Sequence, residues 1–418
     1  MTSVEEPARE ARAAIERAAR DSYGRLLALL VTRSRDLAAA EDALGDALRS
    51  ALETWPQQGT PANPEAWLLT AARNRLIDEA RRRRVREDIA PALLAIADEI
   101  QLEASTGSPF PDERLKLLFV CAHPAIDAAA RTPLMLQVVL GLDAARIASA
   151  FLVRPTAMGQ RLSRAKAKIA DAGIAFELPT ADALPERIDA VLEAIYAAYG
   201  SGWDDVAGAD PRRKGLAVEA LELGRLLVRL VPDDAEARGL LALMLHCEAR
   251  RAARRGAGGA YVPLEEQDVS LWSDALIEEA ERHLAFAAER GTVGHFQLEA
   301  AIQSAHAGRK RSGRLDWEAI ALLYEGVVRI APTQGALVGR AAAIAEARGA
   351  AEGLALLRAI PIEGSASYQP YWALAAHLFA RLGRNDEAND AYEKAIGLCE
   401  DPAVRAFLAA RAARSVQH

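Results

Sequence analysis

The sequence predicts an all-α protein, and three observations carry that expectation. Alanine is abundant whereas Trp, Tyr and Phe together make up only 5% of the 418 residues, a composition that suits helix better than sheet. No run of β-branched residues alternates with polar ones over strand length. Apolar residues recur instead at helical intervals, as at Leu26, Leu27, Leu30, Leu37, Leu44, Leu48 and Leu52.

Composition narrows the class further. With 51% hydrophobic and 26% charged residues, the chain reads as a folded, soluble one, and its length implies more than one domain. Cys121, Cys247 and Cys399 lie far apart without a CxxC pair, so neither a disulfide framework nor a zinc site is expected. The N-terminal stretch "MTSVEEPAREARAAIERAAR" is too charged for a signal peptide, and nowhere do eighteen uncharged apolar residues run together. A cytoplasmic location with no membrane partner is the expectation.

The net charge of −7 hides an asymmetry. From Trp67 to Arg86 seven arginines face two acids, a balance of +5, and from Arg114 to Ala170 nine basic residues face two acids, a balance of +7. After Ala170, 27 basic residues face 36 acids, a balance of −9. Clustered basic charge is what a polyanion-binding surface needs, although a solvated helix face also accounts for any one island.

The elements follow in order. Residues 1–90 form a first helical domain, in which "TWPQQGTPANPEAW" reads as a loop between two helices. Asn63 is placed to cap the second helix, with Pro64 at its first position. Residues 91–113 turn acidic and then break at Gly107, Pro109 and Pro111, as a linker does. Residues 114–172 form a block of short helices, 173–184 a second linker, and 185–418 a run of helical hairpins. The clearest hairpin is "YWALAAHLFARLGRNDEANDAYEKAIGLCEDP". There Trp372, Ala375, Ala376, Phe379, Ala388, Tyr392 and Ala395 fall at tetratricopeptide spacing, with Gly383 at the turn. The segments 217–244 and 316–334 read as degenerate halves of the same unit.

Two stretches carry the chemistry. In "WLLTAARNRLIDEARRRR" a helix begun near Pro64 buries Leu69, Ala72, Leu76 and Ala80, leaving Arg73, Asn74, Ile77 and Arg81 on other faces. A basic face with Asn and a leading aromatic suits opened DNA, because arginines track phosphates and an aromatic offers its face to an unstacked base. Four consecutive arginines exceed what compensation of the helix dipole requires. In "LMLQVVLGLDAARIASAFLVRPTAMGQRLSRAKAKI" a helix ends at Gly141, Asp143 caps a short helix, and Pro155 begins a longer one after a tight turn. This is helix-turn-helix grammar, in which the second helix enters the major groove. Ile147, Ala148, Phe151, Leu152 and Leu162 are expected to join the two helices. Arg154, Thr156, Gln160, Arg161 and Arg164 would then reach bases or phosphates.

Together these stretches resemble bacterial RNA polymerase sigma factors of the sigma-70 family, extracytoplasmic-function (ECF) type. The first is similar to region two, the second to region four, and "AAAEDALGDALRSALETWP" looks like the core-binding helix. The resemblance implies core RNA polymerase, through its β′ clamp helices and β flap, and promoter DNA as partners. It places Glu41, Asp42, Leu44, Asp46 and Leu48 against core polymerase, and Trp67, Arg73, Asn74, Arg75, Arg81 and Arg82 at the −10 element. It puts the loop from Trp55 to Asn63 where a flipped base is captured. Arg154, Thr156, Gln160, Arg161, Arg164 and Lys166 match the −35 reading helix. Asp78, an acid within "NRLID", reads as a structural helix residue.

The third block resembles the fused C-terminal helical-repeat domain of an ECF subgroup. That likeness implies control by the extension, in cis or through a regulatory protein. A helix-turn-helix regulator acting without polymerase and a helical-repeat adaptor are the other readings of the same residues.

No catalytic constellation emerges. Cys121 and His123 lack an orienting third group, and His246 and Cys247 lack further ligands at metal-binding spacing. Walker, GxGxxG and HExxH motifs do not occur. The chain is expected to be no enzyme and to use no cofactor or metal.

Overall fold

The structure, a computed structural model, describes residues 5–82, 113–151, 153–180, 182–203, 216–361 and 366–415. These residues are all-α apart from short 3-10 turns and one isolated antiparallel bridge, between Arg255 and Tyr261. No helix among them is long and apolar enough to cross a membrane. The linker expected at 91–113, Glu113 excepted, lies outside the described residues, as do Arg83 and Arg84.

The chain divides into two compact units, Met1–Ser201 and Gly202–His418. The first contains α1 (Glu5–Asp21), α2 (Tyr23–Ser34), α3 (Leu37–Gln58), α4 (Pro64–Arg82), α5 (Arg114–Cys121), α6 (Ala128–Leu140), α7 (Ala144–Ala150), α8 (Pro155–Asp171) and most of α9 (Leu184–Trp203). Local chemistry sets their ends. The Asp36 carboxylate accepts from the Ala39 amide at the start of α3. Asn63 Oδ1 accepts from the Ala66 amide at 3.1 Å, and Asp143 Oδ1 from the Arg146 amide at 2.8 Å. Gly141, with φ 70°, closes α6 in the left-handed conformation.

Helices α1 to α4 pack on one another around Leu26, Leu27, Leu44, Leu68, Leu69 and Trp55. Two sequence expectations need correcting here. Helix α3 continues through Trp55 to Gln58, so the loop before α4 is shorter than expected. Pro56 costs one hydrogen bond close to the helix end, where burial of the Trp55 side chain offsets it. Ile77 is buried with Leu76, because α4 is covered on two sides, by α3 and by α1 and α2.

Gly45 of α3 offers the reverse case. An added Cβ there would meet nothing within 4 Å, so Gly45→Ala removes backbone freedom from the unfolded chain without strain. It is expected to stabilise the protein by about 0.5–1 kcal/mol, read as a rise in denaturation midpoint.

The block expected at 114–172 and the start of the one expected at 185–418 do not stand apart from the first. Helix α2 packs on α5 and α6, and a Cβ on Gly24 would fall 1.9 Å from the Val139 carbonyl oxygen. Only glycine allows the two backbones this close. Helix α9 joins the same unit: Thr132 Oγ donates to the Ala194 carbonyl at 3.2 Å, and Arg187 Nη1 to the Phe119 carbonyl at 3.2 Å. The extension expected to begin at 185 therefore starts, in packing terms, near residue 202.

The second unit holds α10 (Leu216–Leu230), α11 (Ala235–Ala249), α12 (Asp274–Glu289), α13 (His295–Ser312), α14 (Trp317–Ile330), α15 (Gln334–Arg348), α16 (Ala350–Arg358), α17 (Gln369–Arg381), α18 (Asn385–Leu398) and α19 (Pro402–Ser415). Successive helices pack as neighbours, and alternate ones also touch, α11 with α13 and α15 with α17. In the closing hairpin Ala375, Ala376, Ala388, Tyr392 and Ala395 are buried, with Trp372 and Phe379 packed against them. Gly383, at φ 71°, makes the turn. Small residues let the helices approach and large rings fill what remains.

Candidate nucleic-acid interface

The helix-turn-helix pair is built by α7 and α8, with α6 behind them. Met158, Leu162, Ala165 and Ile169 form the buried stripe of α8, meeting Ile147 and Ala148 of α7. Leu152 lies outside the described residues. Arg154 precedes Pro155, whose fixed φ suits the first helical position. On the outer face Arg154, Thr156, Gln160 and Arg164 are exposed and Arg161 is half-buried. The Arg164 guanidinium turns back onto the Gln160 carbonyl at 3.3 Å. These five residues share one surface, so long basic side chains and polar side chains are presented together.

Lys166 is not with them. It sits at the flank of the buried stripe, and its ammonium contacts Glu41 Oε2 of α3 at 2.5 Å. Both side chains are only 16% exposed. A residue expected at the DNA is thus held by a residue expected at the polymerase. Beside the pair opens a cleft of about 1000 Å³, lined among others by Asp36, Asp42, Lys116, Ser163 and Phe176.

The same cross-pairing occurs inside the first four helices. Arg75 Nη1 of α4 binds Asp46 Oδ2 of α3 at 2.8 Å, and its Nη2 reaches Ser50 Oγ at 3.1 Å. Arg49 takes the other oxygen of Asp46 at 3.1 Å. Asp42, Asn74 and Asp78 are exposed, Arg73 is half-buried, and Leu48 is half-buried. Leu44 is fully buried in the core. It supports α3 from below and presents no surface, a correction to its expected role. Trp67 is half-buried with its ring edge-on to Trp55, centroids 5.4 Å apart. The side chains of Arg81 and Arg82 lie outside the described residues.

Sequence reasoning missed the group that ties α2 to the start of α4. Ser22 Oγ donates to Glu65 Oε1 at 2.5 Å, and Arg25 pairs with the other oxygen of Glu65. By local chemistry Glu65 is simply an acid in the first turn of α4, where it complements the helix dipole. Tyr23 and Cys121 are both pushed well above their usual ranges, by burial first and then by Glu41. A thiol so held is unsuited to act as a nucleophile. His123 Nδ1 accepts from the Ala125 amide at 3.1 Å. Among the described residues no group of three or more His, Cys, Asp or Glu is placed to hold a metal ion.

Residues 19–86, spanning α2 to α4, match the family model for sigma-70 region 2. The chain thus carries a sigma-70 region 2 domain, which supports a sigma-70 family sigma factor. Residues 187–288 match a second model, a family of unknown function, DUF6596. Over 378 residues the chain is 38% identical to the uncharacterized protein R00370 of Rhizobium meliloti (strain 1021), covering 90% of this chain and 89% of that protein. No solved structure matches.

Proposed function

We propose that the protein is an ECF-type sigma factor that binds core RNA polymerase, reads promoter −35 and −10 elements, and helps open the duplex in the bacterial cytoplasm. The reading rests on one combination. A region 2 match lies in the same compact unit as a helix-turn-helix whose outer face carries Arg154, Thr156, Gln160 and Arg164. In this reading α8 enters the major groove, where guanidinium and amide groups can pair with base edges. Asn74 and Trp67 on α4, with Arg73, serve the opened −10 strand, and Arg81 and Arg82 extend that basic end. Asp42, Leu48, Glu41 and Asp46 meet the polymerase clamp. The protein itself makes and breaks no bond, and it needs no cofactor. The C-terminal unit, a tetratricopeptide-like repeat, regulates these steps in cis or through a protein partner.

The test is transcription by purified core polymerase on genomic DNA with this protein added. Discrete starts sharing −35 and −10 sequences are the expected result. Silence from both the full chain and a chain ending near residue 201 would refute the reading. The truncation belongs there, and not at 185, because α9 packs on α5 and α6 through Arg187 and Ala194. On the promoter so found, Arg161→Ala is expected to weaken −35 binding about tenfold or more without changing core binding. Equal loss in both assays would assign Arg161 to folding instead.

A further inference from the structure

Where α5 ends, the first unit holds a cavity of about 220 Å³ that the DNA-reading residues named above do not line. Its walls come from three segments: the end of α5 with Phe119, Val120 and His123, the stretch 174–179 after α8, and Arg187 on α9. A water takes up about 30 Å³ in the liquid, so a space of this size has room for roughly seven, or for a phosphate group and a few further heavy atoms.

His123 and Arg187 line the cavity, and Arg131 of α6 lies within electrostatic reach of both. Local structure fixes each of the three. Arg187 Nη1 donates to the Phe119 carbonyl at 3.2 Å, one of the carbonyls left open at the end of α5. Arg131 donates from Nε to the Ile126 carbonyl at 3.1 Å. His123 Nδ1 accepts from the Ala125 amide at 3.1 Å, which leaves the ring proton on Nε2. All three residues are half-buried.

An arginine has five N–H donors, and each of these two spends one on a carbonyl. The others have no carboxylate to meet: among the described residues neither guanidinium forms an ion pair. The basic groups repel one another instead. The His123 imidazole is held below its ordinary range by burial first, then by Arg187 and Arg131. Arg187 is itself lowered by burial first and by Arg131, with Glu186 offsetting part of the effect. Like charges gathered in partial burial cost free energy unless an anion joins them. Glu177 stands at the wall of the cavity, yet it is exposed and pairs with neither arginine. Capping of helix-end carbonyls accounts for one N–H of each arginine and leaves their convergence with His123 unexplained.

We infer that this cavity binds a phosphate dianion carried by a small organic molecule. Planar guanidinium forks match phosphate oxygens in pairs, and the imidazole Nε2–H adds a further donor. Leu178, 54% exposed, and Pro179 give the cavity an apolar lip, which suits the organic part of a monoester better than free phosphate. The bound group ties α5, α6 and α9 together. Helix α9 runs on to Trp203, past the end of the first unit at Ser201, so a phosphorylated metabolite gains a hold on the helix that leads into the second unit. The inference is independent of the sigma-factor reading.

The test titrates the full chain with glycerol phosphate and with inorganic phosphate, followed by calorimetry and by NMR of the imidazole signals. The His123 signal is assigned by its loss in His123→Gln. Glycerol phosphate should bind saturably at about 1 mM or tighter and move the His123 signal, and inorganic phosphate should bind about threefold or more weakly. R131A/R187A should lose about tenfold or more in affinity. Glu177→Gln removes the carboxylate at the wall and should gain about threefold, a change that misfolding cannot mimic.

A His123 signal unmoved by glycerol phosphate overturns the proposal, as does binding that neither R131A/R187A nor Glu177→Gln alters. Equal affinity for the two ligands overturns the assignment to a monoester. If duplex DNA moves the His123 signal and glycerol phosphate does not, the cavity belongs to the DNA surface and the proposal fails. Should R131A/R187A lose its helix by circular dichroism, Glu177→Gln and the His123 signal decide.

Discussion

Gly24→Ala is expected to destabilise the first unit by about 3 kcal/mol, the upper end for overpacking. The new Cβ would sit 1.9 Å from the Val139 carbonyl oxygen and 2.7 Å from its carbon. Both obstacles are backbone, so no side chain can rotate away. Helices α2 and α6 must separate, and the better helix propensity of alanine, about 1 kcal/mol, offsets only part of the cost. Denaturant titration gives the magnitude. Hydrogen exchange should show lost protection first in α2 and α6. An unchanged midpoint would mean that the two helices do not meet as described.

Acid should act chiefly on the second unit. His246 and His306 are buried, and each is held down to about 4, by burial first and then by Arg250, with Arg309 adding to the effect at His306. Glu281 Oε1 lies 3.6 Å from His246 Nε2, yet desolvation of the imidazolium dominates.

A histidine whose folded pKa lies below its unfolded value contributes fully above about pH 6.5 and loses that contribution as pH falls towards 4. A depression of this size corresponds to about 3 kcal/mol for each side chain. Stability of the second unit is therefore expected to fall steeply between pH 6.5 and 4. His246→Gln and His306→Gln should each flatten part of that fall, even if they lower stability at pH 7. A pH profile identical to that of the unaltered protein would show that these groups are solvated.

Much of this molecule was legible in its residues. The cap at Asn63, the stop at Gly141, Pro155 at the head of α8 and the alanine-rich closing hairpin all come from local rules, and each is found. The helix-turn-helix was legible because a buried stripe and a basic face alternate within one short stretch.

What was not legible depends on contacts between distant segments. A lone glycine at position 24 leaves no periodic trace of the helix that crosses it. Leu44 has the residue type of a docking leucine, and only packing shows that its face is already covered. Lys166 belongs to the basic run by sequence, while the angle of α8 turns it to Glu41. Residues 251–272 carry nothing local to say that they cross α13 and α19.

The Glu41–Lys166 contact has a thermodynamic consequence once both residues are given external ligands. In the proposed reading, a polymerase surface that took Glu41 would release Lys166, and DNA that took Lys166 would release Glu41. Around a closed cycle the two effects must be equal. If core enzyme sharpens the affinity of the protein for its promoter by some factor, promoter DNA must sharpen its affinity for core enzyme by that same factor. Glu41→Gln would shrink both together. One ion pair can in this way make a two-ligand assembly more selective for the complete complex than for either half.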